Sequence, residues 1–338
     1  MPNKKILIIL LLGLLLIATS ACISIKSGST SQRDYLGVFQ SIDSGATWKL
    51  KGGILNTQGK IYTLGNVTIN KIVLDPNDNQ AIYLATNSGL YYSYDGGDGW
   101  LQAKYFASKQ INNISSVAVD HFNKCTIFVS AANKIYKSTD CSRSFTEVYI
   151  DTTREGLIIN NLATEHYNNN VVYATNNKGD ILRSDDYGMH WRLLRSYNDS
   201  IKQILIDKDD TRIVYFLTEK KGLYKTTDGG ATWSDDFEIE IKGKKVKDPI
   251  NKAIIENKRS DAKIGKFLAQ DLTKKNTLIL ASKWGLLRTT DGGMTWEEIN
   301  LVTPDRGASI YSLAIDPKNG SIIYYGTDTT LYLSLIHI

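Results

Sequence analysis

The sequence contains few of the residues that usually form metal centres or catalytic triads. Its four histidines are scattered along the chain and define neither kind of site. No Gly-rich loop follows a strand and opens a helix, so a bound nucleotide phosphate is not indicated. Beyond the N-terminal region, no segment has a helical period. The sequence therefore predicts no metal and no cofactor. The histidines are His121, His166, His190 and His337.

What the chain does contain is repetition. Six eight-residue segments share the pattern Ser/Thr-x-Asp-x-Gly-x-Thr-Trp/Phe, and we call each segment a box turn. The third copy lacks the Gly, and the fourth has His190 where Thr is usual. An Asp followed by Gly favours a turn, because the carboxylate accepts backbone N–H bonds and Gly supplies positive φ. The box turns are Ser41–Trp48, Ser93–Trp100, Ser138–Phe145, Ser184–Trp191, Thr226–Trp233 and Thr289–Trp296.

A longer repeat surrounds each box turn. Upstream of it lie β-rich flanks and, further back, two apolar runs joined by a polar turn, as in residues 69–84 and 310–326. One repeat is thus four short antiparallel strands, which is typical of a β-propeller blade. Acidic residues recur both in the box turns and after each first strand, and this repetition indicates turn capping rather than catalysis. The two sets are Asp43, Asp95, Asp140, Asp186, Asp228 and Asp291, and Asp75, Asp120, Glu165, Asp207 and Asp316.

The box turns resemble the Asp-box, or BNR, repeats of sialidase-like and sortilin-like β-propellers. They are also similar to repeats of two-domain xyloglucanases and of photosystem II assembly factors. The resemblance covers residues 36–334 and implies an all-β propeller of four-stranded antiparallel blades. Residues 36–50 supply two strands of a blade that the segment from Ser309 completes, so six blades are visible. Residues 335–338 break the repeat, and we expect them to be a non-native or truncated end of a seven-bladed protein.

The N-terminus resembles a bacterial lipoprotein signal. Lys4 and Lys5 precede an apolar stretch, Ile6–Ile17, that is short for a membrane span. Small residues then lead to Cys22, so cleavage after residue 21 and lipidation of Cys22 are expected. The alternative is an ordinary secretory signal. Residues 22–35 are polar and Ser-rich, as in a flexible tether.

Two cysteines remain, and both fall in the third repeat. Cys125 begins the second strand of that repeat, and Cys141 follows the end of the third strand. Neighbouring strands run antiparallel, so the start of one faces the end of the next. An oxidising exported compartment would allow the bond to form. The sequence therefore predicts a Cys125–Cys141 disulfide rather than metal ligation.

The positive charge is local. The chain has a formal net charge of +5, and residues 241–266 hold nine basic and three acidic residues. This segment contains an insertion at about 241–263, which widens the gap between the last two box turns. It is either a solvated loop or a docking loop for an acidic partner or lipid head groups. Export argues against a nucleic-acid role.

The face opposite the box turns carries the residues that break the repeat. We call it the loop face; it is formed by the loops joining strands two and three of each blade and by the connections between blades. Trp284 is the one Trp outside a box turn, and it is either a stacking or anchoring residue or packing against a neighbouring loop. Lysines in the same loops make the face basic. The binding candidates are Trp284, Lys283, Lys220, Lys221, Lys178 and Lys134.

An enzymatic site is harder to assemble from these residues. A sialidase-like site needs an arginine cluster, and the Phe-Arg-Ile-Pro motif of that family is absent. Lysines cannot make the bidentate carboxylate clamp. A xyloglucanase-like site needs two opposed carboxylates, and nothing in the sequence pairs the loop acids. These acids are Asp151, Glu155, Asp180, Glu219 and Asp305.

Two functional hypotheses remain. The first is a non-catalytic propeller, exported and lipid-anchored to a bacterial membrane, that binds a protein or glycan partner on its loop face. The second is a glycoside hydrolase, sialidase-like or xyloglucanase-like, with a divergent carboxylate pair. A carboxylate pair in a concave cleft would favour the enzyme, whereas a lysine-rich face without one would favour the binding protein.

Overall fold

The computed structural model describes residues 37–55, 61–234, 240–241, 261–262, 264–299, 301, 309–328 and 330–335. Among these residues the fold is all-β apart from a short helix, α1 (Lys104–Ser108), the helical residues Asp261 and Ala262, and a 3-10 turn at Leu64–Asn66. The expected signal peptide, Cys22, the tether and most of the basic insertion lie outside the described residues. Within the described ranges, no helix is long and apolar enough to cross a lipid bilayer.

The chain begins with two short hairpins and continues into three consecutive four-stranded blades. The hairpins are β1 (Val38–Gln40) with β2 (Lys49–Lys51) and β3 (Gly53–Leu55) with β4 (Ile61–Thr63). Blade 1 is β5 (Ile69–Asp75), β6 (Asp78–Thr86), β7 (Gly89–Ser93) and β8 (Leu101–Gln102). Blade 2 is β9 (Ile114–Val119), β10 (Ile127–Ala131), β11 (Lys134–Ser138) and β12 (Thr146–Ile150). Blade 3 is β13 (Ile159–Thr164), β14 (Val172–Asn176), β15 (Asp180–Ser184) and β16 (Arg192–Ser196).

Three further blades complete the wheel. Blade 4 is β17 (Ile201–Ile206), β18 (Val214–Thr218) and β19 (Leu223–Thr226), with one bridge from Lys225 to Ser234 in place of a fourth strand. A two-residue strand, β20 (Glu240–Ile241), lies at the edge of blade 5. Blade 5 is β21 (Gly265–Gln270), β22 (Leu278–Ser282), β23 (Leu286–Thr289) and β24 (Thr295–Ile299). Blade 6 is the three-stranded sheet of β25 (Ser312–Ile315), β26 (Ile322–Gly326) and β27 (Leu331–Leu335), and the β1–β2 hairpin lies beside it as a separate two-stranded sheet.

Within each blade, consecutive strands pair antiparallel in chain order. An irregularity recurs near the start of the first strand, as between Ile69 and Lys71 and between Ile201 and Gln203. The residue after it occupies the same place in every blade, and we call this place the axial position. Its occupants are Lys71, Ser116, Asn161, Gln203, Phe267 and Ser312.

Apolar clusters between neighbouring blades hold the sheets together. One cluster joins Phe128 and Ile135 of blade 2 to Leu162 and Val172 of blade 3, and all four are buried. The inner strands are buried on both faces because each sheet packs between two others. This explains why their sequences read as continuous apolar runs rather than alternating ones.

The first box turn packs against the sheet of blade 6. Ser44, Gly45 and Trp48 of the first box turn share a cleft with Tyr324 and Tyr332 of the last sheet. Other box turns pack on the preceding blade in the same manner; Gly188, for example, lies against Phe128. The prediction of a six-bladed propeller with four-stranded antiparallel blades is therefore confirmed.

Candidate functional site

The box turns are closed by a repeated set of hydrogen bonds. In the first, the Ser41 hydroxyl donates to Asp43 at 2.7 Å and accepts from the Gly45 N–H at 2.7 Å. Asp43 also accepts from the backbone N–H of Thr47 at 2.8 Å and from its hydroxyl at 2.5 Å. These bonds, the Thr47 hydroxyl first, lower the pKa of Asp43 to about 2. The carboxylate is thus used to hold the turn.

Two irregular copies keep the same geometry. In the fourth box turn, the His190 ring takes the place of the Thr hydroxyl and lies 2.5 Å from Asp186. In the third, Ser142 stands where Gly is usual and adopts a φ of 67°. Such a φ is unfavourable for a residue with a side chain. The Cys125–Cys141 disulfide joins this turn to the second strand, which agrees with the sequence prediction.

Basic side chains of the third strands latch each box turn to the blade before it. Lys137 donates to the Tyr187 carbonyl at 2.8 Å, and Arg183 donates to the Gly229 carbonyl at 2.5 Å. Lys225 reaches the Gly292 carbonyl in the same manner. These residues lie between blades, because the next box turn covers them.

The loop-face lysines have varied surroundings. Lys134 forms an ion pair with Glu147 at 2.7 Å, and Lys283 forms one with Asp261 at 3.0 Å. The hydrogen bond from Lys134 to Glu147 raises the pKa of that lysine. Lys221 donates to the Tyr197 carbonyl, whereas the exposed Lys220 contributes its backbone N–H to Asp199. Lys178 is partly buried in the loop after β14. These lysines thus lie apart from one another around the edge of the loop face and do not form one cluster.

Of the two alternatives that the sequence left open for Trp284, the structure agrees with packing rather than with an open aromatic surface. Trp284 is only 8% exposed and packs in a core with Leu217, Leu268 and Trp296. Its indole N–H donates to Glu298 at 2.8 Å. The ring fills the space between blades 4 and 5, so it is not available for stacking on a ligand.

The described loop acids are held by neighbouring groups. Asp151 accepts the Thr153 N–H at 2.9 Å and its hydroxyl at 2.6 Å. Burial raises the pKa of Asp151, but the hydrogen bonds from Thr153 and Tyr149 more than offset this, so the pKa lies below its ordinary value. Asp180 is buried, pairs with Arg154 and accepts from Asn176. Glu219 pairs with Lys202, and Asp305 lies outside the described residues.

A cavity of about 450 Å³ follows the axis of the wheel. The first strands of all six blades line it, and most of the lining side chains are aliphatic. Lys71 lies at its loop-face end, whereas His121, His166 and Lys208 lie at the end near the box turns. Nothing in the sequence indicated this cavity.

Lys71 reaches across this cavity. Its ammonium donates to the Ser116 hydroxyl of blade 2 at 3.1 Å and to the Leu162 carbonyl of blade 3 at 3.2 Å. Burial lowers the pKa of Lys71 to about 8. This lysine was missed because a single Lys in an apolar strand does not differ visibly from a surface residue in the sequence.

Two of the histidines that seemed scattered are neighbours. His121 and His166 are 3.1 Å apart between ring nitrogens, and His166 also contacts the Ile206 carbonyl. Burial, followed by the proximity of His166, lowers the pKa of His121 to about 4. His121 directly follows Asp120, and His166 directly follows Glu165, the acidic residues that cap the turn after the first strand of their repeats. This shared position in the repeat could have indicated that the two histidines are neighbours. Across the described ranges, no group of three or more His, Cys, Asp or Glu side chains could hold a metal ion.

Curated relatives share short or distant similarity with this chain. A xyloglucanase of Paenibacillus sp. is 29% identical over 144 residues, which cover 36% of this chain and 13% of that protein. The xyloglucanase Xgh74A of Acetivibrio thermocellus is 23% identical over 87% of this chain and 36% of that protein. The chain thus spans about a third or less of the length of the curated relatives that it matches.

Solved structures are similar in fold. An ancestral GH74 enzyme superposes with a TM-score of 0.59 at 18% identity, covering 79% of this chain and 36% of that one. The extracellular domain of BT4673 from B. thetaiotaomicron gives the same score and identity, covering 95% of this chain and 38% of that one. Such likeness at this identity establishes the propeller and leaves activity open.

The family comparison covers more than two thirds of the sequence. The model of the DUF6242 beta propeller domain matches residues 100–334, which include blades 2 to 6. The chain belongs to the DUF6242 beta propeller domain family.

Proposed function

We propose that this chain is a non-catalytic binding propeller that takes a glycan or protein partner on its loop face. In this proposal it is exported and held at a bacterial membrane by a lipid on Cys22. The observation that carries the non-catalytic part is the state of the loop acids. Asp151 accepts hydrogen bonds from Thr153 that stabilise its ionised form, and Asp180 is paired with Arg154.

Glycoside hydrolysis makes a different demand on carboxylates. One carboxyl group must act as a general acid, so its pKa has to be raised towards the working pH. A second must stand about 5–10 Å away across the scissile bond. The pKa of Asp151 is shifted in the opposite direction, and Asp180 is held in an ion pair with Arg154. These two acids therefore suit structural roles.

A polysaccharide is the first partner to test, because the curated relatives are named xyloglucanases. The chain is expected to be retarded in a native gel that contains xyloglucan. Replacing Lys178 and Lys220 with Ala should reduce the retardation, because both lie on the loop face. Lys318→Ala is the matched control, since Lys318 is exposed at a turn on the opposite face. Equal retardation of all three proteins would contradict binding at the loop face.

A glycoside hydrolase is the second candidate, and the names of the relatives favour it. The test is release of reducing ends from xyloglucan and turnover of chromogenic glycosides by the purified full chain. The proposal predicts no turnover above a boiled sample. Robust turnover that is lost in either Asp151→Asn or Asp180→Asn would replace the binding role with an enzymatic one.

Anchoring can be tested separately. Expressed with its own N-terminus, the chain should fractionate with membranes and give a lipid-modified Cys22 in mass spectrometry. Cys22→Ser should abolish the modification and the membrane association. Membrane association that persists in this variant would contradict lipid anchoring without affecting the test for glycan binding.

A further inference from the structure

The axial cavity has the character of a small-molecule site. Its volume of about 450 Å³ falls within the usual range for ligand pockets, roughly 300–1,000 Å³. Aliphatic side chains such as Val73, Val119 and Leu162 form its wall. Leu74 and Leu272, near the box-turn end, are about half exposed, so solvent reaches the cavity from that side. A ligand therefore has both room and an entrance.

One charged group closes the other end. The Lys71 ammonium has three N–H donors, and two of them reach the Ser116 hydroxyl and the Leu162 carbonyl. Among the described residues that line the cavity, there is no Asp or Glu. A buried ammonium is costly unless an anion compensates it. Lys71 thus stands in an apolar wall with neutral partners alone.

The carboxylates that follow the first strands of blades 1 and 2 each bond a turn through one oxygen, and the second oxygen of each is buried without a hydrogen-bond partner among the described residues. Asp75 accepts the N–H of Asn77, and Asp120 accepts the N–H groups of Phe122 and Asn123. Each therefore caps the turn that follows its own strand. Lys208, the second lysine of the cavity, has its own counter-charge in Asp209 at 2.7 Å. The contrast between the two lysines indicates that Lys71, rather than Lys208, would hold an anion.

We propose that the axial cavity binds a small monocarboxylate with an apolar tail. The carboxylate lies on the Lys71 ammonium, and the tail lies along Val119, Leu162 and Ile206 toward the entrance. The ammonium supplies a charge-assisted hydrogen bond that a neutral ligand of the same length does not receive. The site is independent of the loop face, so it does not rest on the proposed function.

The first experiment compares two ligands that differ in the head group. Hexanoate and hexan-1-ol are titrated into the purified full chain at pH 7 by calorimetry, with matched titrations into detergent buffer. Hexanoate is expected to bind about tenfold more tightly, a difference typical of one charge-assisted contact. Lys71→Met should remove this preference, whereas Lys208→Met should retain it. Equal binding of the two ligands, an unchanged preference in Lys71→Met, or no binding of hexanoate would each overturn the proposal.

A second experiment uses the unaltered chain and so does not depend on how the variant folds. The free Lys71 loses its proton near pH 8. Hexanoate affinity should therefore be constant below that pH and fall by about tenfold in all as the ammonium loses its proton above it. His121 is neutral throughout this range, because its pKa is about 4. Lys208 has its own partner in Asp209. An affinity that does not change between pH 7 and pH 10 would contradict binding at Lys71.

Discussion

The rim and the axis of the wheel are built from the same repeats but use them differently. At the rim, each box turn has the same bonds: a hydroxyl to the Asp, and the Asp to a backbone N–H, as in Thr226 and Asp228. At the axis, the equivalent positions hold side chains of different chemistry, among them Lys71, Asn161 and Gln203. The comparison indicates that residues repeated in every blade stabilise the ring, whereas residues that differ between blades are the candidates for binding a ligand.

The axial side chains also join blades whose first strands do not pair directly. Asn161 donates to the Ile201 carbonyl at 2.9 Å. Gln203 donates to the Leu268 carbonyl at 2.7 Å and accepts from its N–H at 2.9 Å. These neutral groups satisfy one another fully. Lys71 makes similar bonds but adds a charge, and that charge distinguishes blade 1 from the rest.

The largest expected loss of stability comes from replacing a tryptophan that is buried under a box turn. Trp296 is fully buried, and its indole N–H donates to the Gly293 carbonyl. Trp296→Ala should lower the free energy of unfolding by about 3–5 kcal/mol, measured by urea denaturation. Trp48→Ala is the matched control, because Trp48 makes the same bond but is 36% exposed. Its cost should be about 1 kcal/mol. Equal losses would mean that the box turns do not depend on burial between blades.

The irregular third box turn provides the next test. The Cys125–Cys141 disulfide closes a loop with a sequence separation of 16 residues. Replacing both cysteines with Ser should lower the free energy of unfolding by about 3 kcal/mol. A reducing agent should destabilise the natural chain by a similar amount and leave the double variant unaffected. No change in either experiment would show that this turn holds without its crosslink.

The hydrogen bonds from basic side chains to the box turn of the next blade should contribute less to the free energy of unfolding. Arg183 donates to the Gly229 carbonyl of blade 4 and to the Tyr173 hydroxyl of its own blade, so Arg183→Met removes one bond across the blade boundary and one within blade 3. We expect a loss of about 1–2 kcal/mol in urea unfolding. Arg192→Met is the control, because the Arg192 side chain is 59% exposed and pairs with Asp185. That change should cost under about 1 kcal/mol. Equal losses of stability in the two variants would mean that the Arg183 bond to the next blade does not stabilise the propeller.

The smallest expected effect concerns the axis and pH. The pKa of Lys71 is about 8 when folded and 10.5 as its ordinary value, so the unfolded chain binds more protons between these values. Stability therefore gains a contribution as pH rises from 8 towards 10.5. Lys71→Met should lack this contribution, so its stability relative to the natural chain should decrease over that interval. A difference between the two proteins that is constant from pH 7 to 10.5 would contradict a buried ammonium.

Much of the rim was predictable from the sequence, because its chemistry is local. A box turn is closed by residues within eight positions, so Asp43 and Trp48 indicate the turn without any knowledge of the fold. Repetition then gave the blades, and antiparallel pairing brought Cys125 close to Cys141. The long segment between blades 4 and 5 was recognised as an insertion, but its structure lies outside the described residues.

The axis was not predictable, because it depends on contacts between distant repeats. Lys71 meets Ser116 and Leu162 across 45 and 91 residues. The pairing of His121 with His166 follows from one repeat lying beside the next, and it appears once the repeats are aligned by their acidic caps. Trp284 was placed in the correct loop, but its burial depends on Leu217 of the preceding blade. The direction in which a side chain points between two blades depends on how the blades pack, and a single sequence does not give this.

The most direct test of the account is closure of the wheel by the first box turn on the last sheet. Cysteines introduced as Ser44→Cys and Leu331→Cys should be joined within one molecule by a bis-maleimide that spans about 10 Å, the spacing of packed sheets. A pair made of Ser44→Cys and Thr211→Cys, which lies in blade 4, should not be joined. Efficient crosslinking of the first pair and not of the second is the predicted result. Failure of the first pair, or equal crosslinking of both, would contradict the closed ring.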